Sequence, residues 1–134
     1  MLQGQHAVLD DSQRKSIDAL IDQYSQAREK RDTVLLKSML TTDIDQLVST
    51  GEWRDGIASS VKGMLNSSAS NPGTRTLNIE KLRLLNQHSA IVDCNYEIQN
   101  ADGTLRKMWS TFIVVLDQGK WKISAIRNML PTRQ

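Results

Sequence analysis

Side chains able to do chemistry are sparse in this sequence, and few are spaced to act together. The two histidines, His6 and His88, are the ordinary general-base candidates near neutral pH. His6 falls in an opening stretch without hydrophobic period and His88 in a predicted turn, so both are expected to be hydrated rather than catalytic. Asp93 and Glu97 share one face of a predicted strand with Asn95 and Gln99. That face is polar, which suits solvent or a subunit rim better than an acid–base pair. Ser59, Ser60, Ser67, Ser68 and Ser70 lack a partnered histidine, no His/Asp/Glu spacing suits a metal, and no glycine-rich phosphate loop is present. Cys94 is the single cysteine, which excludes an internal disulfide and a cysteine-rich metal site. The sequence thus implies no metal and no cofactor, and leaves catalytic residues unknown.

Binding candidates are better defined. Trp121, Ile123 and Ala125 alternate along one strand face that continues to Arg127, placing a guanidinium at the end of an apolar cavity. An arginine so placed needs a carboxylate from the helices or an anionic ligand. Trp109, with Thr111 next on its face, is a second candidate for a cavity wall, and Trp53 a third aromatic.

The elements that must position these residues follow from periodicity. From a cap at Asp11 or Ser12, Ile17, Leu20, Ile21, Tyr24 and Ala27 recur three and four apart, predicting a helix with one buried stripe. Arg28, Lys30 and Arg31, the densest basic group, read as its solvated face. Asp32 can cap a shorter helix that turns Leu35, Leu36, Met39 and Leu40 inward. Ile44 to Val48 reads as a short strand, and Asp55 can cap a third helix carrying Ile57, Val61, Met64 and Leu65. Ser67 to Thr74 is a loop by composition and a candidate mobile flap.

Strand character starts near Thr76, with a change of parity between Ile79 and Leu82 that suggests a bulge. Ser89 to Met129 then holds three strands joined by Asp/Gly turns, an antiparallel meander. In its middle strand Trp109, Ile113 and Val115 take one parity and Met108, Phe112, Val114 and Leu116 the other, so both faces are apolar. Helices can cover only one of them. The other implies a homodimer packed sheet against sheet.

A chain of 134 residues carrying 17 basic and 15 acidic side chains, scattered along its length, is one domain without a nucleic-acid footprint. No apolar run approaches the roughly 20 residues a membrane span needs, and the opening MLQGQHAVLDD lacks a signal peptide's basic and apolar regions. These features, with the lone cysteine, point to a cytoplasmic protein. Residues 1–10 read as a flexible N-terminal segment and 11–131 as the domain.

The plan of helices followed by a meander, with Tyr24 and Asp32, the Leu35–Leu40 helix, Gly51 through Gly56, Ala90-Ile91-Val92, and above all Gly119-Lys120-Trp121-Lys122-Ile123 followed by Arg127-Asn128 and Pro131, resembles the nuclear transport factor 2-like superfamily. Within it the resemblance is to SnoaL-like, ketosteroid-isomerase-like proteins. It implies an α+β, cone-shaped (cystatin-like) fold in which a curved antiparallel sheet wraps around three N-terminal helices. A pocket would open between sheet and helices, usually in a homodimer, with Tyr24 and Asn128 at its wall. In the steroid isomerases of this superfamily a helix tyrosine and a protonated Asp form an oxyanion hole and a second Asp is the base. Tyr24 matches the tyrosine, but the carboxylate positions fall near Val48 and Phe112, which hold no proton.

The reading is therefore a small-molecule-binding SnoaL-like protein with an apolar pocket formed by Tyr24, Trp53, Trp109, Thr111, Arg127 and Asn128. Its ligand would be apolar or carry a carboxylate or carbonyl group. The alternatives are an isomerase, dehydratase or polyketide cyclase without the steroid-isomerase carboxylates, and a homo-oligomeric association domain.

Overall fold

The structure is a computed structural model that describes residues 8–131; His6 lies outside them. Helix α1 spans Asp11–Lys30 and starts one residue earlier than its apolar stripe requires, because Asp10 supplies a full capping box. The Asp10 carboxylate accepts from the Gln13 backbone N–H at 2.8 Å while the Gln13 side chain accepts from the Asp10 N–H at 3.0 Å. Leu9 packs against the core just before this cap. Asp32 caps α2 (Thr33–Ser38) as expected, accepting from the Leu35 N–H at 3.1 Å.

Six strands follow around α3 (Gly56–Ser70): β1 (Leu40–Leu47), β2 (Trp53–Asp55), β3 (Gly73–Asn86), β4 (Ser89–Asn100), β5 (Leu105–Asp117) and β6 (Lys120–Met129). They form one curved sheet in the order β2-β1-β6-β5-β4-β3. This is the expected α+β cone with helices lying against the sheet. Pairing is antiparallel except between β1 and β6, which run parallel with Leu47 opposite Arg127. Two strands joined through a helix and four further strands have the long connection that parallel neighbours need.

The core fills the space between helices and sheet. Ile17, Leu20, Ile21, Tyr24 and Ala27 of α1 pack with Val61 and Met64 of α3 onto Val92, Cys94, Phe112, Val114, Ile123 and Ile126. Each large side chain there contributes roughly 1.5–3 kcal/mol through burial. On β4 the predicted inward set of Ala90, Val92, Cys94, Tyr96 and Ile98 is buried throughout. The bulge expected in β3 occurs as a register shift between Ile79 and Lys81.

Two local expectations fail. The Ser67–Thr74 loop does not exist: α3 runs to Ser70 and β3 starts at Gly73. Tertiary contacts override the serine-rich composition, since Ser68 is buried against Arg28 and the Arg75 guanidinium donates to the Ser67 and Asn71 carbonyls at 3.5 and 3.0 Å. A cation on these last carbonyls is where a helix C-terminus is best stabilised.

The second failure concerns β6. Ile113 of β5 pairs with Ala125 but Val114 pairs with Ile123, leaving Ser124 as an extra residue. This bulge inverts the parity of the strand's second half. Trp121, Ile123, Ile126 and Asn128 therefore face the helices, and Arg127 does not share a face with Trp121 and Ile123.

Candidate functional site

At one end of the cone, the C-terminal half of α3, the β1–β2 turn and the ends of β4, β5 and β6 enclose a cavity of about 440 Å³. Its wall is not the apolar one expected. Tyr96, Ile98 and Met108 supply an apolar strip, but Arg28, Arg54 and Arg106 face the same space with Glu52 and a series of Asn, Ser and Thr side chains.

Arg28 comes from the stripe of α1, one turn after Tyr24, and is only 4% exposed. Its guanidinium donates to the Tyr24 hydroxyl at 3.4 Å, the Met64 carbonyl at 3.3 Å and Ser68 Oγ at 3.4 Å, while its Nε has no partner. These bonds are long, and none goes to a carboxylate. A buried guanidinium normally sits in short, charge-assisted pairs. Sequence reasoning placed Arg28 on a solvated face, yet it follows Tyr24 by four and Ile21 by seven, which is the buried stripe.

Arg54 arrives from β2 and, like Arg28, lies against α3. It donates to Gln46 Oε1 at 3.0 Å, and Gln46 is itself 1% exposed. Its Nε lies 3.5 Å from Glu52 Oε1 without a hydrogen bond. The Arg54 side chain crosses α3 directly over Gly63: a β-carbon there would meet Arg54 Cδ at 2.6 Å and Cζ at 2.7 Å. Glycine costs about 1 kcal/mol in a helix interior, and here it makes room for the guanidinium. Burial, and then the nearby charge of Arg28, pull the Arg54 pKa below its ordinary value, although no physiological pH neutralises it.

The six residues expected at a pocket do not converge. Asn128 lines the cavity and accepts from the Ser110 hydroxyl at 2.7 Å through its Oδ1. Tyr24 is buried behind the wall, where its hydroxyl supports Arg28 and burial raises its pKa. Its ring meets Phe112 edge-on at 5.5 Å. Val48 lines the cavity.

Trp53, Trp109, Thr111 and Arg127 lie away from the cavity, on the sheet face turned from the helices. Arg127 pairs with Asp45 Oδ1 at 2.8 Å and its guanidinium carbon stands 4.7 Å from the Trp53 ring centre. The carboxylate partner required of this arginine thus comes from β1. Thr111 donates to Asp93 at 2.6 Å on the same face. Trp109 and Trp53 are 40% and 51% exposed.

A six-stranded curved sheet over three helices is the cystatin-like fold, and comparison with solved structures bears this out. The chain is similar to a cystatin-like protein of unknown function from Nostoc punctiforme, with a TM-score of 0.82 and 12% identity over 95% of this chain and 97% of that one. It is similar to a nuclear transport factor 2-like protein of unknown function from Shewanella oneidensis, with a TM-score of 0.74 and 14% identity, covering 87% and 98%. It is also similar to a candidate calcium/calmodulin-dependent protein kinase II association domain from Xanthomonas campestris, with a TM-score of 0.76 and 18% identity, covering 100% and 99%. The sequence matches no family model and no curated protein. At these identities the likeness defines the fold, which hosts many functions.

Proposed function

We propose that this protein binds a small molecule through an anionic group held between Arg28 and Arg54. One observation carries the reading: the buried Arg28 guanidinium, paired with no carboxylate, and the half-buried Arg54, whose Nε meets only the exposed Glu52 at 3.5 Å, border one cavity, and among the described residues Glu52 is the only carboxylate on its wall. Uncompensated buried charge is costly, and a carboxylate or phosphate oxygen is its natural complement. A cavity of about 440 Å³ supports ligand binding over a filled association domain. Within the superfamily the reading stays SnoaL-like, supported by the Gly119–Ile123 block, and the buried free thiol of Cys94 suits a cytoplasmic setting. Thermal-shift screening against small organic acids and phosphates tests the proposal: stabilisation that Arg28→Gln and Arg54→Gln abolish supports it, and a screen without any anionic hit refutes it.

The sheet face carrying Trp109, Ile113 and Val115 favours a homodimer through that face, since Trp109 is 40% exposed amid half-buried aliphatics. Light scattering of the purified chain at micromolar concentration should give twice the monomer mass, and Trp109→Glu should halve it. A wild-type monomer refutes the arrangement.

A further inference from the structure

The charges around the cavity specify more than an anion. Among the described residues Arg28, Arg54 and Arg106 face it against Glu52 alone, leaving two positive charges unbalanced on the described wall. Glu52 is poorly committed: its side chain is 65% exposed against 12% for Arg54, and it approaches Arg54 at 3.5 Å without a hydrogen bond. It can rotate into water when a better anion arrives. Arg28 cannot, being 4% exposed and tied to α3. Arg106 stands at the exposed end of β5, on the far side from the β2 wall that carries Arg54. Between these charges the wall offers neutral hydrogen-bonding groups, Asn66, Ser70, Asn71 and Asn128.

We propose that the cavity takes a small dianion, with one charged end between Arg28 and Arg54 and the remaining charge toward Arg106, and that Glu52 is the internal counter-ion it displaces. The proposal rests on the anion-binding reading and fixes its charge. A monoanion seated between Arg28 and Arg54 would leave Arg106 at the cavity mouth without a counter-charge. A dicarboxylate and a phosphate monoester both meet the charge requirement, and the experiment separates them.

The test is titration calorimetry at one fixed ionic strength with glutarate, its monoamide glutaramate, the diamide glutaramide, and glycerol 3-phosphate. One charged hydrogen bond separates glutarate from glutaramate, so at least one of the two dianions should bind about tenfold or more tighter than the monoamide. Whichever dianion wins names the source. Glutaramide should not bind. Glu52→Gln should tighten the winning dianion several-fold, because the internal competitor is gone, and Arg106→Gln should bring the dianion-to-monoanion ratio close to one while unfolding stays cooperative. Equal affinities for glutarate, glutaramate and glycerol 3-phosphate would overturn the dianion inference and leave anion binding standing. Binding of none of them would overturn both. An unchanged affinity in Glu52→Gln would remove Glu52 from the site.

Discussion

Gly63→Ala offers the most revealing perturbation, because two effects of known sign oppose each other. Alanine in the middle of α3 gains about 1 kcal/mol of helix propensity over glycine. Its methyl group would also sit 2.6 Å from Arg54 Cδ and 2.7 Å from Cζ, so the end of the Arg54 side chain must shift off Gly63. This shift is expected to pull the guanidinium off the 3.0 Å bond to Gln46 Oε1, and Gln46 is 1% exposed, too buried for water to replace the donor readily. Losing a bond between a charged donor and a buried amide costs about 1.5–3 kcal/mol. The net expectation is destabilisation by roughly 0.5–2 kcal/mol, a fall in Tm of a few degrees, together with weakened anion binding.

The sign of the helix term can be isolated in an Arg54→Ala background, where the crossing side chain is gone. There Gly63→Ala should become stabilising by about 1 kcal/mol, and the difference between the two backgrounds measures the coupling. Thermal unfolding of the four proteins gives the cycle, and calorimetry with glutarate gives binding. If Gly63→Ala binds anions as the wild type does, or is equally destabilising in both backgrounds, the assignment of Gly63 as the groove for Arg54 is wrong.

Three further outcomes follow from the same structure. Arg127→Ala should leave anion affinity unchanged and cost no more than about 1 kcal/mol, since its pair with Asp45 is about one-third exposed and its contact with Trp53 lies on the sheet's outer face; chemical denaturation and calorimetry check both parts. Arg75→Ala should cost about 1.5–3 kcal/mol through the uncapped α3 carbonyls, seen as faster amide exchange at Ser67–Asn71. Burial, then the charge of Asp93, pushes the Cys94 thiol up to about 12 from an ordinary value near 9. A raised native pKa stabilises the fold fully below pH 9, with that contribution lost as pH climbs toward 12. The thiol should resist disulfide reagents at pH 8 until the protein unfolds; immediate labelling of native protein would contradict its burial.

Periodicity alone reveals most of the fold, because the α1 stripe and the alternation in β4 are what a half-buried helix and strand require. Composition misleads at the end of α3, where serines that favour loops are held helical by Arg28 and Arg75. The binding residues are harder to read. Arg28 belongs to the stripe at Ile21 and Tyr24, but its charge suggests solvent, and only the mid-helix Gly63 hints that a side chain lies across α3. Arg127 is misplaced for a different reason: the bulge at Ser124 leaves no mark in the order of apolar residues, yet it turns every later side chain to the other face. The partner that neutralises Arg127, Asp45, is 82 positions away and could not be paired with it by local spacing.

The parallel union of β1 with β6 sets a schedule for the molecule's assembly. Gln46 and Asn128 stand on neighbouring strands of the cavity wall, and their strands meet only after a chain closure of some eighty residues, the kind of distant pairing that slows a folding reaction. Until that ladder zips, the β1–β2 hairpin that pairs Gln46 with Arg54 is not joined to Asn128 and the hollow has one side missing. A ligand therefore has nothing to recognise in partly folded chains; it can pull the equilibrium toward the finished protein, but it cannot template the path there.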